Sequence, residues 1–268
     1  MIPSYLDARN RGVIMSPSPH KETRAYFAAL KAQGVTATIH QQRAFDNFVR
    51  IGKVAGWLSG IQRMFIPVWG VAAANAVDAI LPSRSGTWVG TVTHTGKAAT
   101  SDGTTGYLDM VLNTTTAVMD TGTFWLATHQ LAGGVGMSRT ELPIGGAGAG
   151  AQQTIGTYAN FNVITSGTTT ALQRATGTTV GLTLGYRSVA NRGIIAYDGV
   201  IGSTHETTPA EAFYSGAMWG LAIPNGGVPV FHSDRPTALL VAGNSALTPA
   251  SSEAIAVHLH TLVTKLRA

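Results

Sequence analysis

Between Thr87 and Met110 the chain reads TWVGTVTHTGKAATSDGTTGYLDM, and no other stretch narrows its folding choices so far. Apolar and polar residues alternate through Trp88, Val89, Val92 and His94, a loop of Gly, Lys, Ser, Asp and Thr follows, and then come Tyr107, Leu108 and Met110. Alternation with a period of two puts successive side chains on opposite faces, so the stretch predicts two strands joined by a polar turn. The same texture of short segments punctuated by Thr and Gly continues to Ala242. That is how an all-β sandwich looks in sequence. Helical spacing is confined to the two ends.

Met1 to Pro19 has no clear period and contains Pro3, Pro17 and Pro19, so it reads as an arm. His20 to Gln33 predicts a first helix, with Tyr26, Phe27 and Leu30 at helical spacing and Gly34 as its stop. Thr38-Ile39-His40-Gln41 has the form of a capping box and opens a second helix with Phe45, Phe48, Val49, Ile51 and Val54 on its apolar side. Met64 to Val71 is short, apolar and contains Pro67, which suits an edge strand. Asn75 and Asp78 read as turn or cap residues.

In Thr121 to Leu131, Phe124, Leu126 and Thr128 point one way and Trp125, Ala127 and His129 the other. The glycine run GGAGAG at 145–150 reads as a flexible connection. A phosphate cradle needs a strand before it and a helix after it, and here Gln152, Gln153 and Thr154 follow. Asn191-Arg192-Gly193 reads as a turn, and Asp198-Gly199 is the sharpest hairpin signal in the chain. At the end, Thr248 is an N-cap, Pro249 the first helical residue, and Glu253 favours the positive end of the helix. Ile255, Leu259, Leu262 and Leu266 form one stripe.

The order Gly-Thr-Trp (86–88), Thr-His-Thr-Gly (93–96), then Asp-Gly-Thr-Thr-Gly-Tyr-Leu-Asp (102–109) resembles the first strands of concanavalin A-like jelly rolls in virion structural proteins of tailed bacteriophages and prophages. The similarity runs over about Thr23 to Val118 and the closing helix. It implies a mainly β fold: a concanavalin A-like jelly-roll sandwich with an N-terminal arm, two N-terminal helices and a C-terminal helix. The expected division is an arm at 1–19, a helical segment at 20–62, and a sandwich at 63–268 closed by helix 248–267. It further implies a virion component assembled in the host cytoplasm: a capsid decoration or head fibre, a collar piece or a tail piece. Such a protein would dock on other virion proteins through its arm, with Tyr5, Leu6, Arg9, Arg11 and Ile14 as the docking residues, and would form a homo-oligomer. The alternative is a glycan-binding receptor or adhesin module that takes a host surface glycan.

Charge bears on partners. Only 12% of residues are charged, and such a surface suits an assembly subunit. The net charge is +5, yet no two of the 18 Lys and Arg are adjacent and no basic helix interleaves with aromatics, so direct nucleic-acid binding is not expected. Cys is absent, which excludes disulfides and thiolate metal sites. No continuous apolar run reaches the length of about 18 residues that predicts membrane insertion, and the start lacks a signal peptide's apolar core.

The 13 acids are dispersed, whereas glycoside hydrolysis needs a close carboxylate pair. Glu206 and Glu211 flank a Thr-Thr-Pro turn. There is no Gly-x-Ser-x-Gly elbow. His258 and His260 point to different sides of a helix, His94 and His129 read as satisfied strand imidazoles, and Asp102 and Asp109 are too isolated for calcium. The expectation is therefore a chain that is not an enzyme, with no catalytic, cofactor-binding or metal residues and no cofactor. Sugar binding needs an open ring, for which Trp88, Trp125, Tyr158, Tyr186 and Trp219 are the candidates, though large aromatics in sandwiches usually fill the core.

Overall fold

The structure of the protein is a computed structural model describing residues 18–113, 123–132, 144–148, 151–158, 161–167, 172–175, 180–188, 191–207, 217–225, 228–230 and 232–268. The expected docking residues Tyr5, Leu6, Arg9, Arg11 and Ile14 lie outside these residues, as does Glu211.

Helix α1 (Lys21–Ala32) ends before Gly34, whose φ of 80° is left-handed, and α2 (Ile39–Val54) starts behind Thr38. The predicted capping box is in place: Gln41 N donates to Thr38 Oγ1 at 3.2 Å, and Thr38 N donates to Gln41 Oε1 at 2.9 Å. The two helices meet through Tyr26, Leu30, Phe45, Phe48 and Val49, all buried, with the Tyr26 and Phe45 rings 4.8 Å apart. Strand β1 (Ile61–Phe65) follows, then the single turn α3 (Ala72–Asn75). The edge strand therefore ends earlier than its predicted span of 64–71, ahead of Pro67, which has no N–H for a ladder.

The remaining strands are β2 (Thr87–Val89), β3 (Val92–His94), β4 (Ala99–Ser101), β5 (Tyr107–Asn113), β6 (Phe124–Gln130), β7 (Ile144–Gly148), β8 (Ala151–Tyr158) and β9 (Phe161–Gly167). They continue with β10 (Leu172–Ala175), β11 (Gly181–Arg187), β12 (Asn191–Tyr197), β13 (Ile201–Thr207), β14 (Ala217–Gly220), β15 (Ile223–Asn225), β16 (Val228–Val230) and β17 (Thr237–Gly243). Helix α4 (Pro249–Arg267) closes the chain. The protein is thus mainly β, with antiparallel sheets and a C-terminal helix.

Among the described residues one sheet has the order β13-β12-β11-β6-β17-β4-β3, with β1 also on β17. The other has the order β10-β9-β8-β7-β14-β5-β2, with β15 and β16 attached. The opening stretch is not one hairpin. β2 pairs with β5 in the second sheet, whereas β3 pairs with β4 in the first. The corner between them is Gly90, with φ of 68°; a Cβ there would stand 2.2 Å from the Thr105 carbonyl oxygen, so only glycine fits.

Alternation along β6 is as predicted. Phe124 and Leu126 join Leu108, Met110, Met218 and Leu240 between the sheets. Trp125 and Ala127 join Val241, Leu184 and the apolar stripes of α1, α2 and α4. The first sheet is therefore covered on both faces, and every residue of β6, β11 and β17 is buried. The result is three layers: helices, first sheet, second sheet.

Two expectations about glycine-rich turns are corrected. Gly145 to Gly148 lie in β7, which pairs with β8 and β14, because ladder hydrogen bonds come from the backbone and need no side chain. Asn191 to Gly193 lie in β12, held by β11 on one side and β13 on the other. The Asp198-Gly199 signal does join two strands, β12 and β13. Helix α4 is capped by Thr248 Oγ1, which accepts from Ser251 N at 3.1 Å. Ile255, Leu259, Leu262 and Leu266 are its buried stripe. Glu253 lies beyond the first turn and is drawn to β13 instead.

Candidate functional site

Among the described residues, the helical layer carries a feature shaped to receive something large. Between α1, α2 and residues 80–83 lies a groove of about 560 Å³. Ala25, Leu58, Ile80 and Leu81 give it apolar walls, and the Lys53–Glu22 ion pair, 2.8 Å long, sits among its lining residues. It begins at Lys21, one turn from the first described residue. Leu81 is 39% exposed, and Val54, at the C-terminal end of α2, is 83% exposed. Gly52 lets the α2 end close up, since a Cβ there would meet the Trp57 ring at 2.7 Å.

One wall is held by a buried acid. Asp78 Oδ1 accepts from Ile80 N at 2.9 Å and from Leu81 N at 3.1 Å. Its other oxygen faces Arg63 Nε at 3.8 Å and has no hydrogen-bond partner among the described residues. Arg63 itself donates to three carbonyls: Met110 at 3.0 Å, Val111 at 2.7 Å and Gln62 at 2.7 Å. Val111 has a φ of 50° where β5 bulges against β14, so Arg63 ties the groove wall to this irregular turn of the second sheet. Burial pushes the Asp78 carboxyl up to about 6, against the pull of the Leu81 and Ile80 amides and of Arg63. The sequence reading placed Asp78 correctly at a turn but missed its arginine. An acid 15 residues from an arginine across an irregular crossing carries no periodic signal.

Among the described residues, those weighed for chemistry are taken up by local partners. Glu206 is an ion-pair partner of Arg192. Asp102 closes its own turn, accepting from the amides of Thr104, Thr105 and Gly106 at 3.0, 2.7 and 3.0 Å. Hydrogen bonds from Thr105 hold its carboxyl well below the usual range. Asp109 accepts from Val111 N at 2.9 Å. Trp125 is fully buried, Trp219 is buried against Tyr107 with ring centroids 4.5 Å apart, and Tyr186 is buried. The side chain of Tyr158 is not among those described. Trp88 alone of the five candidate rings is described as partly open, its indole N–H on the Ala72 carbonyl and His94 packed edge-on at 4.8 Å.

Each strand histidine has one ring nitrogen partnered, but His129 departs from the expected satisfied imidazole, because its Nδ1 is buried with no hydrogen-bond partner among the described residues. His94 Nδ1 lies 3.1 Å from Asn75 Nδ2, and His129 Nε2 lies 3.2 Å from His260 Nδ1. His258 turns instead to Trp57. Burial first, then His260 and Arg267, pushes His129 down to about 3. Because the folded value lies below the ordinary 6.5, this neutral ring stabilises the fold above pH 6.5. That contribution is lost as pH falls toward 3. His129→Leu is expected to flatten the loss of stability between pH 6 and pH 4, read as urea midpoints at each pH. An unchanged slope would show that another group takes up the proton.

No family model matches the chain, and no curated protein matches it in sequence. Among solved structures it is similar to Trypanosoma rangeli sialidase at 12% identity and a TM-score of 0.45, over 82% of this chain and 39% of that one. It is also similar to domain 4 of a GH43 extracellular arabinanase from Geobacillus stearothermophilus, in complex with arabinotriose, at 15% identity and a TM-score of 0.44, over 73% and 98%. A third likeness is to a structure describing how cell entry of botulinum neurotoxin type C depends on two ganglioside molecules, at 10% identity and a TM-score of 0.45, over 80% and 53%. The chain spans well under half the length of the sialidase.

These neighbours correct the expectation that the chain is not an enzyme, since a sialidase and an arabinanase domain are among the chains it resembles. That expectation leaned on how far apart the acids lie in sequence, and a fold can bring together groups that sequence separates. It is withdrawn. What the neighbours cleave or bind is not transferred with the likeness.

Proposed function

We propose that this protein is a structural component of a tailed-bacteriophage or prophage particle. It serves as a capsid decoration or head fibre, a collar piece or a tail piece, held to other virion proteins through its N-terminal residues 1–19 and helices α1 and α2. The observation that carries this reading is the open, apolar-walled groove between α1, α2 and residues 80–83, which adjoins the root of the N-terminal residues. Its occupant is an apolar segment of a neighbouring virion protein, because the walls offer contact area and little hydrogen bonding. The low proportion of charge suits a subunit in a crowded assembly. Under the same proposal the two stacked sheets are a concanavalin A-like jelly roll facing away from the particle, present as a homo-oligomer.

Leu81→Glu in the groove wall and Val54→Glu on the adjoining end of α2, outside the groove lining, test this docking face. Both side chains are exposed, so each change is expected to alter stability by no more than about 0.5 kcal/mol. The double variant is expected to enter particles at least about tenfold less than wild type, since buried charge at a docking face costs more than 1.4 kcal/mol. Equal incorporation would overturn the reading.

A second reading is capture of a host surface glycan, favoured by Trp88, the candidate ring described as partly open. Trp88→Ala would then abolish binding on a glycan array. No wild-type binding to any glycan there would dismiss this reading.

A further inference from the structure

At the β13 end of the first sheet, polar side chains from three elements converge. Ser203 and His205 stand two residues apart on β13 and so share its helix-side face. Tyr186 of β11 and Glu253 of α4 meet them there. The Tyr186 hydroxyl lies 3.1 Å from His205 Nδ1, and Ser203 Oγ donates to Glu253 Oε1 at 2.7 Å. His205 Nε2 faces that same carboxylate oxygen at 3.7 Å. Gly193 makes the arrangement possible, since a Cβ there would stand 2.4 Å from His205 Nδ1 and 2.5 Å from the Tyr186 ring.

The gap between His205 and Glu253 is the informative distance. At 3.7 Å it is too long for a hydrogen bond, and His205 Nε2 is buried with no partner among the described residues. The Tyr186 hydroxyl can accept from Nδ1–H, and in that tautomer Nε2 turns a lone pair toward the carboxylate, an arrangement that a cation between the two makes attractive. The same 3.7 Å is what two ligands leave when each stands roughly 2.0–2.2 Å from one zinc ion at an open angle. Both groups already have the outer partners that metal ligands have: a hydroxyl on the far imidazole nitrogen, and a hydrogen bond to the carboxylate.

We propose that His205 Nε2 and the Glu253 carboxylate bind a divalent transition-metal ion of the zinc class, oriented by Tyr186 and Ser203. Water completes the coordination from the Glu253 side, where that side chain is 33% exposed, while His205 Nε2 itself is buried. One nitrogen and one oxygen donor select zinc, nickel or copper over magnesium and calcium. Among the described residues no three His, Asp or Glu come together, so this is a two-ligand site, weaker than a closed structural one. The bound ion clamps β13, the last strand of the first sheet among the described residues, to α4. The inference does not depend on attachment to a particle.

The test is thermal unfolding of the full chain with zinc chloride or magnesium chloride. At a hundredfold excess over Kd, zinc is expected to raise the Tm by about 5 °C and magnesium not at all. His205→Gln and Glu253→Gln are each expected to remove the zinc shift. Tyr186→Phe keeps the ring and both ligands and is expected to weaken zinc affinity about tenfold by calorimetry. Should a ligand variant fail to fold, Co²⁺ added to wild type decides: a visible spectrum different from the aquo ion is expected. No zinc shift in wild type, an undiminished shift in the ligand variants, an unchanged affinity in Tyr186→Phe or an aquo-ion cobalt spectrum would each overturn the proposal.

Discussion

Asp78→Ala is expected to destabilise the protein by about 3–5 kcal/mol at neutral pH, measured as a fall in the urea midpoint with the slope unchanged. Asp78 is fully buried and Arg63 is 5% exposed, so the substitution leaves a guanidinium without its counter-charge in the interior. Arg63 cannot withdraw cheaply, because two of its three carbonyl contacts hold the turn at Met110 and Val111. The Ile80 and Leu81 amides lose their acceptor as well, so the groove wall loosens. A cost below about 1 kcal/mol would mean that solvent reaches the pair.

Asp78→Asn separates the charge from the shape. The folded carboxyl sits at about 6, above its ordinary 3.8, so the fold holds this proton more tightly than the unfolded chain does. Its contribution is fully present below pH 3.8 and is lost as pH rises through 6. Wild type minus Asp78→Asn is therefore expected to fall by about 2–3 kcal/mol between pH 4 and pH 7. His129 acts in the opposite direction over the same window, so only the difference between the two chains isolates Asp78.

Trp125→Ala is the other large effect, expected at about 3–5 kcal/mol. The ring is fully buried between the first sheet and the helices, and its indole N–H reaches Ser245 Oγ at 3.1 Å. The ring lies so close over β17 that a Cβ at Gly243 would stand 2.1 Å from it. The surrounding β6, β11 and β17 are locked by ladders on both sides and cannot collapse into the space. Differential scanning calorimetry reads the loss as a lower Tm with one cooperative transition. Two transitions would show that the helices and the sheets unfold separately.

What the sequence disclosed and what it hid divide along one line. Local rules were legible: the Thr38 box, the Thr248 cap, the stripe on α4, the two faces of β6 and the Asp198-Gly199 turn each depend on a few neighbouring residues. Decisions made by distant partners were not. Gly90 looks like any turn glycine, yet it sends β2 and β3 to different sheets. Gly145 to Gly148 form a strand only because β8 and β14 lie on either side. The site residues follow the same division. Arg63 meets Asp78, and His205 meets Glu253, across separations that no spacing rule covers.

The central claim is that the helical face with its groove is a docking surface inside a phage particle. Imaging intact particles from the producing culture at near-atomic resolution tests it most directly. The account predicts density for this chain with α1, α2 and residues 80–83 against a neighbouring virion protein, an apolar segment of that neighbour in the groove and the second sheet facing outward. Particles that lack the chain, or that hold it by the second sheet with the groove open to solvent, would contradict it.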